Sequence, residues 1–378
     1  MAQINTAFRN AARRILCFIA GALATLLLGS PAHAQLASAP ASASASGPKP
    51  HAWIAVPAVP ARLTARDIGL VINTADPYSV EVGEFYKRAR KLKPEQVLRV
   101  ELPVKAQLNE TEFDLLASAI RSHFGPKTQA LALAWTHPFA VNCNSITGAL
   151  ALGVDNALCV QTCAPSKASP YFNSASSRPF TDLKLRPSML LAARDAAGAK
   201  AMIERGVASD RSLGLRGAPP ANVYYVTTTD GARSVRSPLF PPAGLVPRAG
   251  LNVHLPTTDA IENVERVLLY ETGLAQVPKL DTIRWVPGAL ADHLTSYGGH
   301  LDGIGGQMTV LDWIASGATA SYGTVTEPCS HVQKFPHPQV LLLHYAQGAT
   351  AIEAYWKSVA WPQQGLFVGE PLAAPFSR

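Results

Sequence analysis

The sequence predicts an α/β protein built on one mostly parallel sheet flanked by helices. Two observations carry this expectation. From about Asp67 short apolar runs alternate with segments of helical spacing, giving β-α-β-α-β in under 70 residues, an order that places helices on the faces of a parallel sheet. The composition agrees. Hydrophobic residues make up 48% of the 378 residues and charged ones only 16%, enough apolar side chains for a large core and too many for disorder. The 27 glycines and 30 prolines exclude a long coiled coil.

Ile68 to Asn73 is continuous and apolar, as in a strand buried on both faces. Asp76-Pro77 then supplies an N-cap and a proline at the first helical position. Val82, Phe85, Tyr86, Ala89 and Leu92 follow at helical spacing, with Lys87, Arg88, Arg90 and Lys91 on the wet side. Val97 to Leu102 reads as the next strand. Asn109-x-x-Glu112 starts a helix whose apolar face holds Phe113, Leu116, Ile120 and Phe124, and Gly125-Pro126 ends it. Ala130 to Trp135 is the third strand.

Between His137 and Arg186 the pattern loosens into a long irregular insertion with three cysteines. Beyond it, Ala196 to Val207 reads as a helix. Asn222 to Val226, Leu251 to Leu255, Val264 to Tyr270 and Gly288 to Leu294 read as strands. Met308 to Ala315 is expected to be helical and Thr319 to Gly323 extended. Thr350-x-x-Glu353 caps a helix that stops at Trp361-Pro362, and Gln364 to Val368 is the last strand.

The N-terminus has the layout of a secretory signal. Arg9, Arg13 and Arg14 precede an apolar run from Ile15 to Leu28, and Ala32-His33-Ala34 offers small residues at both positions a signal peptidase reads. Fourteen apolar residues are short for a span of about 20. Residues 1–34 are therefore expected to direct export and be removed, with no membrane span remaining. That segment holds three of the 33 basic side chains and none of the 26 acids. The formal charge then falls from +7 to +4, with no basic run that would argue for nucleic acid. Residues 35–66, rich in Ala, Ser and Pro, are expected to form a tether. A single α/β domain is expected over 67–378, divisible into halves at 67–215 and 220–378.

Cys143, Cys159, Cys163 and Cys329 remain after cleavage. An even number in an exported protein points to disulfides, with three connectivities open: Cys159-x-x-x-Cys163 could close a small loop, or Cys143, just upstream, could take one of those two. Zinc is the rival reading, with His137, His331 and His337 as further ligands, but the spacing matches no common zinc motif. H-E-x-x-H, P-loop, EF-hand, G-x-S-x-G and G-x-G-x-x-G patterns are all missing, so the residues imply no cofactor and no standard hydrolase.

Two segments carry residues suited to chemistry. Gly288-Ala-Leu-Ala-Asp-His-Leu-Thr-Ser296 runs from a strand into polar residues and glycines, offering Asp292, His293 and Ser296 where open α/β sheets form sites. Asp292 and His293 are strand neighbours and should point to opposite faces. Tyr322-Gly-Thr-Val-Thr-Glu-Pro-Cys-Ser-His331 exits a strand with Glu327, Cys329 and His331 within five residues, and a Cys–His pair can make a nucleophile.

These segments resemble an uncharacterised family of exported bacterial proteins that occurs in species with exosortase. The resemblance runs through Val71-Ile-Asn-Thr, Ser145-Ile-Thr-Gly-Ala-Leu-Ala-Leu-Gly, Cys163-Ala-Pro-Ser-Lys-Ala-Ser-Pro-Tyr-Phe172 and Leu185-Arg-Pro-Ser-Met-Leu-Leu-Ala-Ala-Arg194. It is strongest at Pro287-Gly-Ala-Leu-Ala-Asp-His-Leu-Thr-Ser296 and continues through Gly317 to Cys329, Glu353-Ala-Tyr-Trp-Lys-Ser-Val and Gly365-Leu-Phe-Val-Gly-Glu-Pro-Leu372. It implies a role in the cell envelope or extracellular matrix and no established activity. In fold the chain also resembles gingipain-type cysteine peptidases, which implies a caspase-like sheet. That family carries a His-Gly motif after one strand and a cysteine after the next. The matching exits here read Tyr270-Glu-Thr-Gly273 and Thr295-Ser-Tyr-Gly298, with neither residue.

The expectation is therefore an exported binding or accessory protein of the envelope or matrix. The alternative is a hydrolase with a rearranged site drawn from Asp292, His293, Ser296, Glu327 and Cys329.

Overall fold

The computed structural model describes residues 51–215 and 217–378. The expected export signal and the first part of the tether lie outside the described residues. Strand β1 (Ile68–Asn73) is buried along its whole length, as its unbroken apolar run requires. Helix α1 (Pro77–Ala89) starts where its cap signals put it, with Asp76 Oδ1 accepting from Tyr78 N at 3.0 Å. Strands β2 (Val97–Val100) and β3 (Gln107–Leu108) follow. In helix α2 (Glu110–His123) Asn109 and Glu112 exchange two hydrogen bonds of 2.9 Å, closing the expected capping box. Strand β4 (Ala130–Leu133) ends two residues early because Trp135 N turns back to Leu133 O.

The insertion is more ordered than its sequence suggests. It holds β5 (Ala140–Val141), β6 (Asn144–Ser145), α3 (Ile146–Leu152), α4 (Ala157–Val160) and α5 (Pro179–Leu183). Strand β7 (Ser188–Leu190) lies just beyond it, within the Arg186-to-Leu191 run. Helix α6 (Ala196–Ser209) and strands β8 (Ala221–Tyr225), β9 (Gly244–Val246) and β10 (Leu251–His254) come next. Strand β11 (Val267–Thr272) begins three residues later than expected, at a register shift between Val267 and Leu269. Strand β12 (Trp285–His293), α7 (Val310–Ser316) and β13 (Ala320–Thr324) then alternate. Helix α8 (Pro338–Ala346) is apolar nearly all round, so it has no amphipathic signature, and it is buried. Helix α9 (Ala351–Ser358) and β14 (Gly365–Gly369) complete the chain.

Eleven strands form one sheet in the order β2-β1-β4-β7-β14-β13-β12-β11-β8-β10-β9, and β3, β5 and β6 form a small second sheet. The large sheet is mostly parallel, but it consists of two opposed blocks. Strands β2, β1, β4, β7 and β14 are mutually parallel, as are β13, β12, β11, β8 and β10. The seam is the antiparallel pair β13–β14, so the last strand of the chain lies in the middle of the sheet. The carboxyl ends of β11, β12 and β13 therefore share an edge with the amino ends of β1, β2 and β4.

The stretch expected to be a tether is held against the domain from Ala52 onward. Ile54 N donates to Gln339 Oε1 at 2.8 Å, and Gln339 Nε2 donates to Ala52 O at 3.0 Å. Leu63 is buried, and its N–H reaches Glu353 Oε2 at 3.1 Å. This Pro-rich segment thus becomes a strap over α8 and α9. No described helix is long and apolar enough to cross a membrane.

Candidate functional site

The register of the second block sets Tyr225, Glu271, Asp292 and Tyr322 side by side on four neighbouring strands. Residues paired in register share a face, so all four look toward α8 and α9. All are buried. Tyr225 Oη donates to Pro338 O at 2.9 Å, and Tyr322 Oη donates to Lys334 O.

Into this row the loop after β8 inserts Arg236. Its Nη1 lies 2.6 Å from Asp292 Oδ1 and 3.2 Å from Glu271 Oε2, and it also donates to Pro336 O at 3.3 Å. Nη2 donates to Thr272 O at 3.0 Å, at the end of β11. One guanidinium serves two carboxyl groups, and Glu271 Oε1 and Asp292 Oδ2 have no hydrogen-bond partner among the described residues. Burial raises both acids above the usual carboxyl range, Glu271 furthest, since Asp292 adds repulsion to its desolvation. One arginine faces two carboxyl groups here, and the uncompensated charge favours protonation of the pair.

His293 faces the other way, as strand alternation requires. Its Nδ1 accepts from Trp313 Nε1 at 2.8 Å, and its Nε2 lies 3.1 Å from Met308 O, to which it donates. Those bonds fix the neutral tautomer and occupy both ring nitrogens. Burial lowers its pKa to about 4. No lone pair is left to act as a base, and Asp292 is on the opposite face of the sheet.

The cysteines pair as Cys143–Cys159 and Cys163–Cys329. Both bonds staple the insertion, the first within it and the second to the loop after β13. This corrects the expectation for Cys329, which has no free thiol with which to attack. Glu327 is engaged locally, its Oε1 accepting from Cys329 N at 2.7 Å. That bond supports a turn in which Cys329 and Ser330 both take positive φ, 58° and 54°. The three histidines of the zinc alternative are dispersed. His137 pairs with Asp302 at 2.7 Å, His331 packs on Trp361, and His337 caps α8. No cluster of three or more potential ligands occurs among the described residues.

Ser296 is half-buried in the loop that follows β12, and its carbonyl accepts from Thr324 Oγ1 at 2.9 Å. Beside it is a polar group that sequence reasoning missed. Arg233 Nη1 donates to Asp230 Oδ2 at 2.7 Å, and its Nε donates to Thr295 Oγ1 at 3.2 Å. Thr295 Oγ1 in turn donates to Gln307 Oε1 at 2.5 Å. Arg233 also roofs the exit of β11: a Cβ on Gly273 would fall 2.0 Å from Arg233 O, so only glycine fits there. The usable signal was the polar run from Thr227 to Asp230 directly after a strand. The five sequence-predicted residues thus do not meet in one cleft. Asp292 and His293 are on opposite faces, Cys329 is cross-linked, and Glu327 serves its own loop.

No family model matches the chain, and no curated protein matches it. Among solved structures the chain bears a distant resemblance to the Arg-specific cysteine proteinase gingipain R, with a TM-score of 0.40 and 10% identity. The superposition covers 82% of this chain and 78% of that one.

Proposed function

We propose that this chain is an exported binding protein, an accessory component of the cell envelope or extracellular matrix rather than a peptidase. The observation that carries the reading is the loop after β8. It lays the Arg233 backbone on Gly273 and drives Arg236 between Glu271 and Asp292, closing the strand ends where a sheet of this kind would hold a dyad. Two further facts support it. His293 spends both ring nitrogens on internal bonds, and the four described cysteines are all oxidised, as suits a compartment outside the cytosol.

The test is covalent labelling of the full chain with fluorophosphonate and thiol-directed probes, paired with complementation of a deletion strain. The reading expects no specific label and full complementation by Ser296→Ala. Labelling of Ser296 that this substitution abolishes, with loss of the phenotype in a folded protein, would establish the rearranged hydrolase instead.

A further inference from the structure

Strand β2 ends the large sheet on one side and pairs with β1 alone. Its free edge carries a defined set of open groups. Thr74 N donates to Val100 O at 2.7 Å, so the main chain of Val100 faces β1. Leu102 continues the pattern past the end of the strand. Its N–H donates to Asn73 Oδ1 at 2.9 Å, and its carbonyl accepts from Asn73 Nδ2 at 3.1 Å. Successive residues of an extended chain turn their N–H and C=O groups to opposite sides. The main-chain groups of Arg99 and Glu101 therefore point away from the sheet, with no partner among the described residues.

The side chains of Arg99 and Glu101 are exposed as well. Arg99 reaches Glu84 on α1, and Glu101 has no ion-pair partner among the described residues. Leu98 and Val100, on the other face of β2, are only half-buried. The opposite edge of the sheet is guarded. There β9 is three residues long and lies between Pro242 and Pro247, which cannot donate to a further strand. The β2 edge carries no proline before Pro103. A basic and an acidic residue two apart leave it without the single-sign charge that would repel a copy of itself.

We propose that this edge pairs with the same edge of a second copy of the chain, antiparallel about a two-fold axis at Val100. Hydrogen bonding and charge select that register. Outward groups must meet outward groups, so the axis passes through a residue and not between two. An axis at Arg99 sets two guanidinium groups against each other, and one at Glu101 does the same for two carboxylates. An axis at Leu98 matches Arg99 with Val97, whose N–H is already spent on Pro94 O. An axis at Val100 matches Arg99 with Glu101 of the second copy, and Glu101 with its Arg99. Each match exchanges main-chain hydrogen bonds and joins opposite charges. It also lays Leu98 of each copy opposite Leu102 of the other, at a hollow of about 480 Å³ lined by Leu102, Pro103 and Val104. The half-exposed apolar side chains of β2 gain cover there. Such self-complementarity about one centre is what an isologous interface requires.

Sedimentation velocity of the full chain over a range of concentrations tests this, together with cysteine cross-linking along the edge. The expected result is a reversible dimer whose dissociation constant rises about tenfold or more in Glu101→Arg, where a second cation faces Arg99. Glu101 holds no ion pair within the chain, so that effect is not one of folding. Arg99→Glu/Glu101→Arg restores opposite charges across the axis and is expected to recover the dimer. Under mild oxidation Val100→Cys is expected to give a disulfide-linked dimer and Leu98→Cys none, with the parent chain as control for other thiols. A chain that stays monomeric up to about 0.1 mM overturns the proposal. So does a dimer that Glu101→Arg leaves unchanged, or a folded double exchange that stays monomeric. Cross-linking through Leu98→Cys in preference to Val100→Cys overturns the register.

Discussion

Arg236 Nη1 lies 2.6 Å from Asp292 Oδ1 with both side chains buried, although 56 residues of chain separate them. Glu271, the register partner of Asp292, shares the same guanidinium at 3.2 Å. Removing the cation leaves two buried acids facing each other. Arg236→Met is expected to cost about 3–5 kcal/mol at neutral pH, measured by urea unfolding. A cost below about 1 kcal/mol would show that the acids are already neutral without it.

The excess carboxyl in that cluster makes stability depend on pH. The folded pKa values are raised above the unfolded ones, so the folded state binds more protons. The contribution is fully present below the ordinary carboxyl range near about 4 and is lost as pH rises through the folded values. Glu271→Gln keeps the shape and removes the more strongly raised of the two titrating groups. The variant is expected to lose less stability than the parent as pH rises above the ordinary carboxyl range. Parallel pH profiles for the two proteins would refute a retained proton.

His293 works in the opposite direction. Its folded pKa of about 4 lies below the unfolded value of 6.5, so its contribution is present above 6.5 and disappears as pH falls toward 4. The loss amounts to about 3 kcal/mol across that window. His293→Gln is expected to be destabilised at pH 7.5 by about 2 kcal/mol through lost bonds to Trp313 and Met308, with a flatter acid limb. An acid limb as steep as the parent's would mean another group titrates there.

The disulfides differ in what they constrain. Cys143–Cys159 spans 16 residues and Cys163–Cys329 spans 166, so the second restricts the unfolded chain more. Chain entropy gives about 3 kcal/mol for the short loop and about 5 kcal/mol for the long one. Cys163→Ala/Cys329→Ala should therefore lower the unfolding midpoint more than Cys143→Ala/Cys159→Ala. Peptide mapping without reductant should recover these two cross-links; a peptide joining Cys159 to Cys163 would refute the pairing.

Lys357 fastens the far side of the insertion. Its buried Nζ donates to Ser174 O and Ser176 O, both at 2.7 Å, and lies 4.8 Å from the centre of the Tyr171 ring. Lys357→Met keeps most of the apolar stem and removes both bonds. The expected cost is about 3 kcal/mol, with faster amide exchange confined to residues 171–176. Unchanged exchange in that segment would mean the disulfide alone holds it.

Which features were legible follows from their range. Asp76 capping Tyr78, Asn109 with Glu112, and Thr350 with Glu353 are bonds across two or three residues, so the letters suffice to place them. Alternation placed Asp292 and His293 on opposite faces for the same reason. Strand β7 escaped notice because three residues show no period, and α8 because a helix apolar on every side has none either. Cys329 was a candidate nucleophile because its partner, Cys163, is 166 residues away. Arg233 and Arg236 read as loop residues until the fold brought Gly273, Glu271 and Asp292 beneath them.

By itself the sequence determined the α/β class, the positions of most caps and strands, and the side to which each strand residue points. These follow from backbone hydrogen bonding and steric preference within a few residues. Only the tertiary structure decided that the last strand, β14, enters between β7 and β13, that the sheet thereby splits into two opposed blocks, and that Arg236 enters between Glu271 and Asp292. Those outcomes depend on which distant surfaces bury one another. Chain closure and desolvation set that choice, and neither acts at the scale of a motif.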